Sequence, residues 1–199
     1  MKICLRYLGD TGYQQGIGQE LAVSQATVTW TVDRAVNSIG AQSNEWIKFP
    51  TTNHELMEAK RIWQSMYKFP TAIGEIDCTH IGILKPNRHR DEYINRKGKP
   101  TLNVQATCDA REMFTSVDVS WPGSVHDSRI WRNSQTRSQV MNEANVVLLG
   151  DDGYDIEPCL MTPFRNPTPG AEINDNKLLK QERVIIERCF GKLKRRFAA

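Results

Sequence analysis

No apolar run in this 199-residue chain approaches the roughly 20 residues that a membrane-spanning helix needs. The opening stretch, MKICLRYLGDTGYQQG, lacks the long apolar segment and small-residue cleavage site of a secretory signal. A soluble, intracellular protein is expected. Cysteine is sparse: five residues (Cys4, Cys78, Cys108, Cys159, Cys189), widely spread, with no CxxC pair. An odd, scattered set argues against a disulfide scaffold or structural zinc cluster and for buried, reduced thiols. Charge of one sign is also lacking, since the net value of +3 says little about partners.

Hydrophobic residues make up 39% and charged residues 25%, so a packed core is feasible and disorder is not the default. The length suits one medium domain with a small appendage. The cations are clustered. Lys85–Lys99 (KPNRHRDEYINRKGK) and Arg188–Arg196 (RCFGKLKRR) are rich in them, as phosphate-contacting segments are, although a solvated face is the commoner outcome for any one charge run.

Residues 1–40 read as helical, with Ile17, Leu21, Val28, Val32, Val36 and Ile39 mostly four apart. Two helices are expected to meet at Ala22–Val23–Ser24, with Ser24 capping a second helix from Gln25 to about Asn37. That is a helix-turn-helix pattern whose second helix presents Gln25, Thr27 and Thr29, side chains able to read base edges. Simple helix packing explains the pattern equally well. Residues 41–70 hold a linker and a helix from Glu55 to about Met66. From Thr71 the pattern turns to strands: Ala72–Ile83, Leu102–Cys108 and Phe114–Trp121, the last two joined by a turn at Asp109–Glu112. A helix over Ser124–Val140 follows, then a short apolar strand Val146–Leu149. A further short strand over Leu160–Thr162 and a long helix from about Asp175 to Phe197 complete the order. Hairpin strands followed by helical crossovers predict a mixed α/β sheet. The expected division is a helical region over 1–70 and an α/β domain over 71–199.

Four carboxylates stand out by position. Asp77 lies inside an apolar strand, where an ionised acid is costly without a partner. Asp127 opens a helix, where the helix dipole alone could explain it. Asp151 follows the VVLL strand at the mouth of the sheet, where it could instead form the Gly150–Gly153 turn with Asp152. Glu187 lies about 100° round from Ile186, at the edge of the stripe Ile186, Phe190, Leu193 and Phe197. It can look toward the sheet, or pair with Arg183 one turn earlier. Carboxylates converging on one point repel, and Mg²⁺ or Mn²⁺ suits hard oxygen ligands. Two such ions about 4 Å apart can drive phosphodiester displacement. His80 is a candidate base, though a packed strand histidine is the simpler reading; His126 is a candidate for orienting Asp127.

The segments Ala72–His80 (AIGEIDCTH), Tyr93–Gly98 (YINRKG), Trp121–Ser128 (WPGSVHDS), Leu148–Tyr154 (LLGDDGY), Leu160–Pro163 (LMTP) and Glu182–Phe197 (ERVIIERCFGKLKRRF) follow one another in an order and spacing that resembles the PIF/Harbinger-type DDE transposases and the nucleases derived from them. The resemblance runs from about Tyr13 to the C-terminus. It implies an RNase H-like fold for 71–199, preceded by a helix-turn-helix-like segment. It implies catalytic acids at Asp77, Asp151 and Glu187, and a metal set of these with Asp127. Either Asp127 or Asp151 could be the essential second acid. Family members usually extend further, so an incomplete N-terminal region and a shortened C-terminus are expected.

The resulting expectation is a divalent-metal-dependent DNA endonuclease, with two Mg²⁺ or Mn²⁺ ions. Lys85, Arg96, Lys97, Lys194 and Arg195 would hold phosphates. DNA is the expected partner, with a separate DNA-binding protein and self-association as further partners and no membrane contact. Nuclear residence, with cytoplasmic presence, follows from the DNA partner and the KLKRR run. The alternative is a catalytically inactive DNA- or partner-binding protein. A metal phosphatase on small substrates fits the acids but not the basic runs.

Overall fold

Three helices account for the start of the chain in the computed structural model, which describes residues 2–9 and 14–197. They are α1 (Lys2–Leu8), α2 (Gln14–Glu20) and α3 (Gln25–Ala41), followed by a single turn, α4 (Ser43–Trp46). Ile17, Val28 and Val32 form their core, flanked by Ile3, Tyr7, Leu21 and Val23. The expected break falls between α2 and α3. Ala22 adopts a left-handed φ of 53°, and Ser24 caps α3 by accepting from Thr27 N at 3.1 Å. The turn folds tightly onto α2: Val23 N donates to Gly18 O at 2.9 Å, and a Cβ on Gly18 would lie 2.8 Å from Val23 O. Only glycine admits that approach. The α3 helix runs four residues past the expected end, and Tyr13, where the resemblance begins, lies outside the described residues.

The described residues up to Ile47, with those from Gly191 onward, form one compact unit; Lys48–Phe190 form the other. The second unit therefore includes α5 (Asn53–Met66), which the sequence reading grouped with the N-terminal helices. A capping box starts α5: Thr52 Oγ1 accepts from Glu55 N, and Glu55 Oε2 accepts from Thr52 N. Its Leu56 and Trp63 are buried in the two cores of this unit, one of which each joins.

The sheet has five strands, β1 (Ala72–Gly82), β2 (Thr101–Cys108), β3 (Phe114–Pro122), β4 (Val147–Leu149) and β5 (Leu160–Met161), in the order β3-β2-β1-β4-β5. The β1–β2 and β2–β3 pairs are antiparallel, and β1–β4 and β4–β5 are parallel. This is the mixed α/β sheet that the strand and helix order predicts. Apolar side chains of helices pack on both sides: Trp131 and Val140 in one core, Ile185, Ile186 and Phe190 in the other. Among the described residues no helix is long and apolar enough to cross a membrane.

Two expected helices are broken. The one predicted over Ser124–Val140 is α6 (Asp127–Arg132) and α7 (Gln135–Val140), with His126 rather than Ser124 at the first N-cap position. The interruption is chemical. Asn133 Nδ2 turns back to Arg129 O at 2.7 Å, and Ser134 Oγ accepts from Arg137 N, so side chains compete with the helical ladder and start a new helix. The helix predicted from Asp175 to Phe197 is α8 (Ala171–Glu182) and α9 (Val184–Phe197), separated at Arg183.

Candidate metal centre

A bulge in β1 sets which acids share a face. Ala72 faces Val147 and Gly74 faces Leu148, so β1 carries one residue more than β4 there. The extra residue inverts the alternation. Ile73 and Ile76 then enter the same apolar core, and Glu75 points toward α9, where its Oε2 accepts from Ile186 N at 2.8 Å. Asp77, two residues on, shares the face of Glu75. Glu75 pairs with Leu149 across the parallel β1–β4 ladder. Asp77 and Asp151 each lie two residues beyond that pair, so parallel geometry carries them to the same end of the sheet.

Asp127 arrives from the other side. After β3 the chain turns through Gly123, whose N–H donates to Thr101 O at 2.9 Å; a Cβ there would lie 2.7 Å from that oxygen and 2.8 Å from Tyr93 O. Ser124 N donates to Glu92 O at 3.0 Å, so the WPGS segment is docked on the loop before β2. The buried Asn103 then fixes the helix start, its Nδ2 donating to Val125 O and Asp127 Oδ1, both at 2.8 Å. Asn103, not His126, orients Asp127.

Two of the aspartates, Asp151 and Asp127, approach each other at Gly153. A Cβ on that glycine would lie 2.9 Å from Asp151 Oδ1 and 3.6 Å from Asp127 Oδ2, so those two oxygens are separated by no more than the sum of these distances. Asp151 Oδ1 also accepts from Gly153 N at 3.0 Å. The electrostatics agree. Burial pushes the Asp77 carboxyl up to about 7; the Cys78 N–H at 2.7 Å and Arg183 oppose this, and the charges of Asp151 and Asp127 add to it. Asp151 is raised by burial, with the Gly153 N–H and Arg183 opposing and Asp127 and Asp152 adding. The mutual destabilisation of half-buried carboxylates is what a divalent cation would relieve, and all the donors are hard oxygens. The donor types at Gly153, carboxylate oxygens of Asp151 and Asp127, suit such an ion. Yet among the described residues no three acidic, imidazole or thiol groups converge closely enough to hold one as they stand.

Glu187 is the acid that stands apart. Its side chain is 59% exposed, and its Oε1 lies 3.7 Å from Arg183 Nη2. It has taken the pairing that the i, i+4 spacing offered. The aspartates act on Asp77 and Asp151; Glu187 is not among the charges that act most strongly on either.

Sequence reasoning missed three contributors. Glu75 is fully buried, its carboxyl raised to about 8 by burial against the opposing Ile186 N–H, and its Oε1 has no hydrogen-bond partner. Its period-two spacing from Asp77 was a usable signal. Glu182 is buried and accepts from Trp63 Nε1 at 3.0 Å and Lys68 N at 2.8 Å. Asn103 sat unremarked in a predicted strand.

The predicted DNA contacts are variously placed. Gln25 and Thr27 are exposed at the start of α3. Thr29 is half-buried and donates its hydroxyl hydrogen to Gln14 Oε1 at 2.6 Å, so it serves its own unit. Lys85, Arg96 and Lys97 are exposed. Lys85 lies 3.8 Å from Asp91, and Arg96 meets His126 Nδ1, one residue from Asp127. Lys194 is half-buried and Arg195 exposed near the end of α9. His80 Nδ1 lies 3.1 Å from Thr101 Oγ1.

Residues 76–199 match the family described as DDE superfamily endonuclease. The chain is 31% identical over 197 residues to the cattle (Bos taurus) protein named "Putative nuclease HARBI1" and 30% identical to its human counterpart (Homo sapiens), covering 97% of this chain and 56% of each relative. It is 25% identical over 213 residues to "Protein ALP1-like" of Arabidopsis thaliana, covering 98% of this chain and 52% of that one. The chain thus spans a little over half the length of the curated relatives it matches. No solved structure matches it.

Proposed function

This chain belongs to the DDE superfamily endonuclease family, whose catalytic domain is RNase H-like and whose members typically use divalent metals, and on that premise we propose that it is a metal-dependent DNA endonuclease hydrolysing phosphodiester bonds. The observation that supports this best is the approach of Asp127 and Asp151 at Gly153, at the end of the sheet to which the parallel β1–β4 register also carries Asp77. Asp77, Asp127 and Asp151 would hold Mg²⁺ or Mn²⁺, with Glu187 completing the set. Bound there, a pair of ions would activate water and neutralise charge on the leaving oxygen.

The chain's own residues supply the rest. Asn103 holds the Asp127 carboxylate in one orientation, so that ordering it costs nothing when a ligand arrives. Arg96, beside His126, would steer a phosphate of the DNA strand toward the acids, with Lys85 and Lys97 on the same loop extending the contact. Lys194 and Arg195 would add phosphate contacts, and Gln25 and Thr27 would meet duplex DNA from α3. A nuclear site of action, a separate DNA-binding partner and self-association belong to the same reading.

Nicking of supercoiled plasmid tests it. Purified protein should nick in Mg²⁺ or Mn²⁺ and stop on chelation, and Asp77→Ala should remove the activity. Wild-type nicking no greater than that of Asp77→Ala would refute the nuclease reading.

A further inference from the structure

The face of the sheet that α6 packs against carries a polar stripe where apolar side chains are expected. Asn103, Gln105 and Thr107 alternate along β2 and are 2%, 3% and 1% exposed. Register places Cys78 of β1 and Asp118 of β3 on either side of Gln105. Asn103 donates to Val125 O and Asp127 Oδ1, and Thr107 donates to Ser116 Oγ at 2.9 Å. Gln105 is left over. Its Nε2 lies 3.8 Å from the Cys78 sulfur, a weak acceptor, and its Oε1 accepts no hydrogen bond among the described residues. A buried amide in that state is destabilising unless something else meets it. Gln105 lines a cleft of about 460 Å³ between the edge strand β3 and the break that separates α6 from α7. The break builds the second wall from Asn133, Ser134, Gln135 and Thr136, with Thr136 Oγ1 donating to Ser116 Oγ at 3.2 Å. Ser116 thus accepts twice, and its own hydroxyl hydrogen is left to donate.

We propose, on the DNA-endonuclease reading above, that this cleft takes an unpaired nucleobase of the DNA strand whose phosphate lies at the acids. No Lys or Arg among the described residues lines it, and both oxygens of its acid, Asp118, are taken by Ser120 N and Trp121 Nε1, each at 2.9 Å. A phosphate finds no counter-charge there. Amides and hydroxyls suit a base edge, which offers donors and acceptors together. Gln105 Oε1 would accept from a base N–H, and Ser116 Oγ would donate to a ring nitrogen or carbonyl oxygen. The place agrees with the chemistry. Asn103, which holds Asp127, is two residues from Gln105 on the same strand face, about 7 Å away. The α6 helix runs from Asp127 to the cleft at Asn133, a rise of about 9 Å. At about 3.4 Å per nucleotide, those lengths put the base two or three steps from the phosphate at the acids. A cleft walled by protein on two sides admits a base only once it has left the duplex stack.

Fluorescence anisotropy of the full chain in chelator, where nothing is cut, tests this. The probes are a labelled single-stranded oligonucleotide and one of equal length with abasic sites in place of its bases, so that the phosphates match. Wild type should bind the base-bearing strand roughly tenfold more tightly than the abasic one. Gln105→Leu, similar in size but without the amide, should bring the two strands within about threefold of each other while binding the abasic strand as wild type does. If wild type binds both strands alike, or if Gln105→Leu keeps the full ratio, the base cleft is overturned while DNA binding stands. If wild type binds neither strand, the DNA reading fails and takes the cleft with it. Should Gln105→Leu fail to fold, Ser116→Ala decides by the same ratio: a fall toward equality supports the cleft, and an unchanged ratio refutes it.

Discussion

Replacing Asp77 by asparagine should stabilise the metal-free protein at neutral pH while abolishing any cleavage. The Asp77 carboxyl is raised from an ordinary value of 3.8 to about 7, chiefly by burial, with the charges of Asp151 and Asp127 adding to it. A carboxyl whose folded pKa exceeds its unfolded one lends stability that is fully present below the unfolded value, near pH 4. That stability is lost as pH rises through the folded value, near pH 7. One pKa unit corresponds to about 1.36 kcal/mol, so the full shift is worth about 4 kcal/mol at most, and screening at a half-buried group leaves roughly 2–4. Asparagine carries no charge at any pH and escapes this penalty. For a chain of this length each kcal/mol moves the midpoint by about 2–4 °C, so Asp77→Asn should melt roughly 5–15 °C higher at pH 8 in chelator. Urea unfolding at pH 4, 6 and 8 measures the gap, which should be widest at pH 8 and close toward pH 4. Mn²⁺ should narrow it at pH 8 by stabilising only the wild type. If Asp77→Asn were no more stable than wild type at pH 8, or if the gap did not shrink on acidification, the claim that burial of this carboxyl destabilises the metal-free fold would be wrong.

Other substitutions probe the support of the site. Gly153→Ala would put a Cβ 2.9 Å from Asp151 Oδ1 and displace that carboxylate; Mn²⁺ affinity by calorimetry should fall several-fold with the circular dichroism spectrum unchanged. Asn103→Ala frees Asp127 by removing the donor shared with Val125 O, and plasmid nicking should slow by about tenfold, the scale of losing a supporting contact. Glu182→Ala strips the buried Trp63 indole N–H and the Lys68 N–H of their acceptor and should cost roughly 2–4 kcal/mol in urea unfolding.

The sheet was legible because its signals are local. An apolar β-branched run predicts β1, a short polar turn predicts the β2–β3 hairpin, and four apolar residues predict β4 to within one residue. The turn at Asp109 shows why this works: one Asp side chain accepts from Arg111 N and Met113 N, and the neighbouring strands need nothing further to reverse. Helix ends were less legible. The break at Asn133–Ser134 depends on which backbone group a side chain chooses, and composition does not state that choice; the break at Arg183 left no local signal of that kind. The placement of α5 with the sheet also escaped the sequence, since it is decided by Leu56 and Trp63 entering cores made by residues distant in the chain.

The site divides along the same line. Asp77, Asp127 and Asp151 could be named from sequence because each occupies a position with its own local logic: a strand interior, a helix start and a strand end. The face that Asp77 takes could not, because it depends on the β1 bulge. Without the extra residue between Ala72 and Gly74, Ile73 would share the face of Glu75 and Asp77, and an apolar side chain would sit where α9 needs a carboxylate. Glu75 fills that place and accepts the Ile186 N–H, which is one of the donors a helix start leaves unpaired. The bulge thus does two things together: it turns Asp77 to the sheet end where Asp151 lies, and it lets Glu75 anchor the start of α9. A periodicity count along the strand cannot see either effect, since one inserted residue leaves the pattern of apolar residues looking continuous while exchanging the faces beyond it.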